Sequence, residues 1–256
     1  MTKRTVLAVA AHPDDIEFMM AGTLILLKEK GCSIHYFTLT NGCCGSAELS
    51  KKEIVRIREE EARAAARFLG ATFHPSLVDD FQIFYSDGLI RKVAAVVREC
   101  RPEILLVPSL VDYMEDHSIA ARIAVTAAFV RGMPNYETDP SVPPISNGVV
   151  VYHALPHGLK DPIRRSVLPE LFVDIASVID RKVEMLRLHA SQKEWLDRSQ
   201  GMDSYVETMR EMSRTVGEMS ERFRFAEGWR RHSHLGFADE DADPLSGLLE
   251  ATVFRP

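Results

Sequence analysis

The chain has little cysteine, no long apolar run and no excess of positive charge, and each shortage removes a class of protein. Four cysteines in 256 residues, two of them adjacent as Cys43-Cys44, make neither a disulfide framework nor a CxxC or zinc-ribbon pattern. They read as reduced thiols, with redox sensing at Cys43-Cys44 as the alternative. No stretch approaches the roughly 18 consecutive apolar residues that cross a bilayer, so no membrane span is expected. The formal net charge is −6, whereas a nucleic-acid binder carries a basic excess or stripe, so no nucleic-acid partner is expected. Neither GxGxxG nor GxxxxGK[ST] occurs, which leaves nucleotide binding without its usual sequence support. Met1-Thr2-Lys3-Arg4 runs into a strand without a signal-peptide cleavage pattern, and a cytoplasmic location is expected. Internal repeats and low-complexity segments are missing too.

What is present is an ordinary globular composition, 46% hydrophobic and 27% charged. Apolar periodicity predicts strands at 5–10, 33–40, 103–108 and 149–154. It predicts helices at 16–30, 51–69, 89–99 and 118–130, the first two stopped by Gly31 and Gly70. This alternation implies an α/β fold, a doubly wound, mostly parallel sheet with helices on both faces, Rossmann-like. One domain over 1–256 is expected. Residues 1–155 would form the sheet core with the site. Residues 156–256 would be a helical and irregular C-terminal part shaping the pocket or an interface. The Gly132–Ser146 stretch, with four prolines, reads as a loop beside the site or a boundary. Helical pattern returns from Val178 to about Glu221. There Met185, Leu188 and Trp195 lie among charged residues. Met209, Met212 and Met219 then form a stripe with Val206 and Val216 that reads as core packing, a subunit interface or a lid. The interface reading favours a homo-oligomer.

The densest chemistry is Ala11-His12-Pro13-Asp14-Asp15, directly after the first strand. His12 and Asp15 are residue types that bind zinc, and Asp14 stays free beside them as a base. An N-cap would account for one Asp, but not for the histidine and the second carboxylate. A catalytic zinc site takes three protein ligands and keeps one position open. The best third ligand is His117, in Asp112-Tyr113-Met114-Glu115-Asp116-His117 after the strand ending at Pro108. Asp116 can hydrogen-bond an imidazole there. The competing reading is that His117 and Asp116 only cap the following helix. In open α/β sheets sites form beyond the carboxyl ends of strands, where both segments fall. His35 reads as a packed or edge residue, and His74 lies in a loop before Pro75. His153 and His157 follow a late strand and are weaker site candidates. His232 sits in Arg230-Arg231-His232-Ser233-His234, either solvated surface or a group that binds substrate or gives a proton.

The strand followed by Ala-His-Pro-Asp-Asp, with the later Asp-Tyr-x-x-Asp-His, resembles the zinc-dependent de-N-acetylases of the PIG-L/LmbE type. Arg58-x-x-Glu61 with Ala65 and Leu69-Gly70, Asp87-Gly88-Leu89, Arg101-Pro102 and His189-Ala190-Ser191-Gln192 are similar to family features as well. The likeness is firm over 5–130 and patchy to about 230. It implies hydrolysis of an N-acetyl group, usually on an N-acetylglucosaminyl compound. It implies Zn2+ on His12, Asp15 and His117, with iron, cobalt or nickel as other divalent possibilities. Asp14 would be the general base, with Asp116 a further catalytic residue. Arg58, at the rim, Tyr113 and His232 would bind substrate. The common family form is His-Pro-Asp-His, and here Met114 stands at its first histidine. Asp112, Tyr113, His153 and His232 are the candidates to replace it. The expected partner is an acetylated sugar or a small amide. The alternatives are an amidase on a non-sugar or thiol-conjugate amide, and a metal- or sugar-binding protein that does not hydrolyse.

Overall fold

The computed structural model of the chain describes residues 4–192 and 205–255. Among them, eight strands form one sheet: β1 (Thr5–Ala10), β2 (Ser33–Thr38), β3 (Thr72–His74), β4 (Ile104–Val107), β5 (Val150–Ala154), β6 (Leu171–Asp174), β7 (Ala226–Arg231) and β8 (Val253–Phe254). Their order is β3-β2-β1-β4-β5-β7-β6-β8. The first five run parallel, and β7, β6 and β8 join antiparallel. Every position of β1 after Thr5 is buried and apolar. Such a run is what a strand needs when both faces of the sheet are covered. Val6, Ala8 and Ala10 face one core cluster, and Leu7 and Val9 face the other.

Helices α1 (Asp15–Met19), α2 (Ala21–Glu29), α3 (Lys51–Leu69) and α6 (Ile179–Leu186) pack into the first cluster. Helices α4 (Asp87–Cys100) and α5 (Glu115–Phe129) cover the opposite face. Two further helices, α7 (Tyr205–Met219) and α8 (Pro244–Leu249), send Met209, Leu245 and Leu249 into the first cluster. The doubly wound architecture read from the sequence is therefore present. Helix α3 has the expected bounds because its ends are coded locally. Ser50 and Glu53 form a reciprocal capping box, and Gly70 closes the helix at φ 65.

The single helix expected over 16–30 is two helices, broken at Met20. The break has a long-range cause. At the start of α2, the Gly22 and Thr23 amides donate to the Glu227 carboxylate at 2.8 and 2.7 Å. An anion at a helix N-terminus satisfies otherwise orphaned N–H groups. Lys182 Nζ donates to the same carboxylate at 2.7 Å, so the buried charge is paired. Gly22 lets these elements meet, since a Cβ there would lie 2.6 Å from Ile175 Cγ2.

The C-terminal part also supplies β6, β7 and β8, which periodicity did not mark. β7 carries Glu227 and Gly228 inside, and so lacks an apolar signature. The methionine stripe is core: Met209 is fully buried, and Met212 and Met219 pack against buried clusters. Trp195, from the same reading, lies outside the described residues. The proline-rich stretch is tied down by Arg98, whose guanidinium donates to the carbonyls of Val130, Arg131, Met133, Tyr136 and Val142. No helix among the described residues is long and apolar enough to cross a membrane.

Candidate metal centre and catalytic site

Strands β1 and β4 are neighbours whose chains leave toward opposite faces of the sheet. A crevice opens beyond their carboxyl ends, where ligands bind in such folds. His12 to Asp15 emerge from β1, and Asp112 to His117 lead from β4 into α5. One ligand atom from each of His12, Asp15 and His117 lies within 4.8 Å of the others. His12 Nδ1 is 3.5 Å and His117 Nε2 is 3.4 Å from the Asp15 carboxylate.

The far nitrogen of each ring is held by a second carboxylate. His12 Nε2 donates to Asp116 Oδ2 at 3.2 Å, and His117 Nδ1 to Asp112 Oδ1 at 2.9 Å. Metal-binding histidines characteristically give their second N–H to such a partner, which fixes tautomer and ring direction. The charge pattern fits a cation as well. Burial works against a charged His12, but its hydrogen bonds to Asp116 and Asp15 raise it to about 9. Burial likewise opposes a charged His117, yet Asp15 and Asp112 hold it well above its usual value. Asp15 resists the upward pull of burial and is kept well below the ordinary carboxylate range, first by His117 and then by His12. Two imidazoles and one carboxylate converge on the point they share, and this donor set suits a divalent transition metal.

Asp14 occupies the N-cap position of α1, yet its side chain makes no cap hydrogen bond. Its φ of 105 lies in the left-handed region, at a cost of about 1–3 kcal/mol for a residue with a Cβ. The effect is to turn its carboxylate into the cavity. There Tyr205 donates to Oδ2 at 2.6 Å, and Arg58 Nη2 lies 3.3 Å from Oδ1. Burial raises the Asp14 pKa, against the opposing pull of Arg58. A buried carboxylate with a raised pKa beside a metal position is suited to taking and returning a proton.

The cavity above these groups has a volume of about 370 Å³. His12, Asp15, His117, Asp14, Arg58 and Tyr113 all line it, as expected from the sequence. Three expectations need correction. Arg58 is not at the rim. It is 3% exposed on the cavity floor, ion-paired with Asp14 and hydrogen-bonded to the Pro13 carbonyl. His232 does not reach the cavity, because its Nδ1 pairs with His153 Nε2 at 3.0 Å, and His153 Nδ1 turns to the Pro108 carbonyl at 2.9 Å. Asp116 sits behind His12, where it also accepts from the Phe81 amide at 2.9 Å. It positions an imidazole and does not line the cavity. Asp116 and His117 belong to α5, whose N-terminus carries no side-chain cap bond, so capping does not account for them. No residue of the 132–146 loop borders the cavity.

Two wall residues lay outside the expected substrate set. His157, a weaker candidate in the sequence, lines the cavity with its ring 5.6 Å from that of Tyr113, which is 63% exposed. Tyr205, 191 positions from Asp14, carries no local sequence signal for its contact with that carboxylate. Asp112, named as a stand-in for the missing histidine, instead orients His117. The His189-Ala190-Ser191-Gln192 segment docks on α3, since the Ser191 amide and hydroxyl both donate to Glu61. Its Gln192 reaches the cavity wall and donates to the Gly45 carbonyl at 3.1 Å. The Arg58-x-x-Glu61 and His189 motifs are thus two halves of one contact.

Residues 7–128 match the PIG-L family, described as GlcNAc-PI de-N-acetylase. The match covers somewhat less than half of the chain. The chain is similar to the diacetylchitobiose deacetylase of Thermococcus kodakarensis, 28% identical over 196 residues, spanning 74% of this chain and 70% of that protein. It is also similar to the 4-oxalmesaconate hydratase of Pseudomonas putida, 29% identical over 202 residues and 75% of each protein. Among solved structures, the N,N′-diacetylchitobiose deacetylase from Pyrococcus horikoshii superposes with a TM-score of 0.76 over 95% of this chain and 89% of that one. At 23% identity that likeness establishes the fold alone.

Proposed function

We propose that the chain is a divalent-metal-dependent hydrolase that removes the acetyl group from an N-acetylglucosamine-containing or related small amide. The observation that carries this reading is the convergence of His12, Asp15 and His117 on one point, with the buried Asp14 carboxylate free beside them. His12, Asp15 and His117 would hold the ion, with zinc the default for this donor set. When bound, such an ion supplies Lewis acidity to a water molecule and to the acyl carbonyl at neutral pH.

The chain's own groups do the rest. Asp14 takes the proton of the attacking water as its oxygen bonds to the acetamide carbon. Tyr205 and Arg58 keep that carboxylate ionised and aimed at the water. The same proton then passes from Asp14 to the amide nitrogen as the carbon–nitrogen bond breaks. The products are a free amine and acetate. Tyr113 and His157 flank the acyl group from the wall, in the role that Met114 cannot fill. Asp112 and Asp116 hold the two imidazoles in register.

The hydratase relative supports a second reading, in which the same site adds water across a carbon–carbon double bond of an oxo-tricarboxylic acid. The lining charges favour the amide. Asp14, Asp15, Asp80 and Asp112 border the cavity, and among the described residues its one Arg or Lys is Arg58, already paired with Asp14. Arg58 is thus not free to pair with a polycarboxylate, which favours a neutral acetamido sugar. The test is a panel on metal-loaded protein, with acetate release scored on N-acetylglucosamine and its oligomers and loss of the conjugated-acid absorbance scored on 4-oxalmesaconate. Acetate release from the sugars supports the hydrolase. Turnover of 4-oxalmesaconate alone overturns it.

A further inference from the structure

Away from the cavity, three donors meet at the edge of the sheet: His35 on β2, His74 at the end of the edge strand β3, and Cys100 on the last turn of α4. His35 Nδ1 and His74 Nε2 are 2.9 Å apart. Cys100 Sγ lies 3.2 Å from the first and 3.4 Å from the second. None of the three borders the catalytic cavity.

We propose that His35, His74 and Cys100 form a second metal site, taking one borderline transition-metal ion such as Zn2+ and leaving its fourth position to solvent. A shared proton satisfies one edge of this triangle, whereas an ion satisfies all three. Tetrahedral zinc, with bonds of about 2.0–2.1 Å to nitrogen and about 2.3 Å to sulfur, needs edges of roughly 3.3–3.6 Å. The triangle opens to that size by a few tenths of an ångström, and both rings are only half-buried and free to adjust. His74 and Cys100 come from elements that otherwise hold together weakly here. Among the described residues, β3 has three residues and pairs only with β2. An ion bridging it to α4 staples the edge strand to the helix above.

Co2+ titration of the full-length chain separates this site from the catalytic one, because only a thiolate ligand gives the near-ultraviolet sulfur-to-cobalt charge-transfer band. His12, Asp15 and His117 supply none. The expected result is two bound ions per chain and the charge-transfer band, both unchanged in a Cys43→Ser/Cys44→Ser variant. Cys100→Ser is expected to lose the band and one ion. His74→Gln, on the exposed edge, should weaken the band-forming site at least tenfold and decides the matter if Cys100→Ser does not fold. A wild-type chain with no band, a band surviving in Cys100→Ser, or a band lost only with Cys43 and Cys44 overturns the proposal. Acetate release is not read, so either result leaves the proposed activity to its own test.

Discussion

Tyr205→Phe is the most discriminating single change at the site. The hydroxyl donates to Asp14 Oδ2 at 2.6 Å, and both side chains are buried. Phenylalanine keeps the ring contact with Phe18, 5.6 Å between centroids, and removes only the hydrogen bond. A hydrogen bond to a charged group is worth about 1.5–3 kcal/mol. Here that energy favours the ionised form, because the Tyr205 bond opposes the rise in Asp14 pKa caused by burial. Without it, Asp14 protonates more readily, and a protonated carboxylate takes no proton from water. At a pH on the acid limb of kcat/KM, the rate should fall about ten- to a hundred-fold, since each 1.36 kcal/mol is a factor of ten. The limb should move to higher pH, and the alkaline plateau should recover most of the activity. Acetate release measured from pH 5 to 9 tests this. A uniform loss at every pH, with the limb unmoved, would refute Tyr205 as the group that tunes Asp14.

Asp112→Asn should weaken metal binding about 10- to 100-fold by loosening the His117 ring, as removal of such partners typically does, and competition with a chelator measures it. Arg58→Ala should cost about 3–5 kcal/mol in urea unfolding, because it strands the buried Asp14 carboxylate; a loss under 1 kcal/mol would show that the pair is not structural. His153 is lowered from 6.5 to about 4, chiefly by burial, so the folded protein binds its proton more weakly than the unfolded chain. Its contribution is complete above pH 6.5 and declines as pH falls toward 4, by on the order of 3 kcal/mol. His153→Gln should therefore flatten the drop in unfolding free energy between pH 7 and pH 4.5, and an unchanged slope would contradict the assignment.

The parts of the site legible in the sequence are those coded within a few residues. His12, Asp14 and Asp15 share one strand end, and His117 opens the helix after the neighbouring strand, so strand–helix alternation was enough to bring them together. Helix α3 was legible because Ser50, Glu53 and Gly70 mark its ends. What escaped depends on contacts between distant segments. The break at Met20 is set by Glu227, some 200 positions away. That carboxylate, turned inward for α2, is also why β7 did not look like a strand. Arg58 was expected at the rim, and the Asp14 carboxylate with the Pro13 carbonyl, both distant in sequence, explains its depth. His232 looked available until His153 claimed its ring. Tyr205 reaches Asp14 across the fold with no local motif to announce it.

The measurement that bears most directly on the central claim pairs metal content with turnover in Asp14→Asn. The wild-type chain, loaded with zinc, should release acetate from an N-acetylglucosamine substrate, and chelation should abolish that release. Asp14→Asn should keep the ion on His12, Asp15 and His117 and lose turnover by about 10²–10⁴-fold. A variant that binds the ion and turns over at near wild-type rate would contradict Asp14 as the base, and wild-type activity that survives complete metal removal would contradict the metal centre itself.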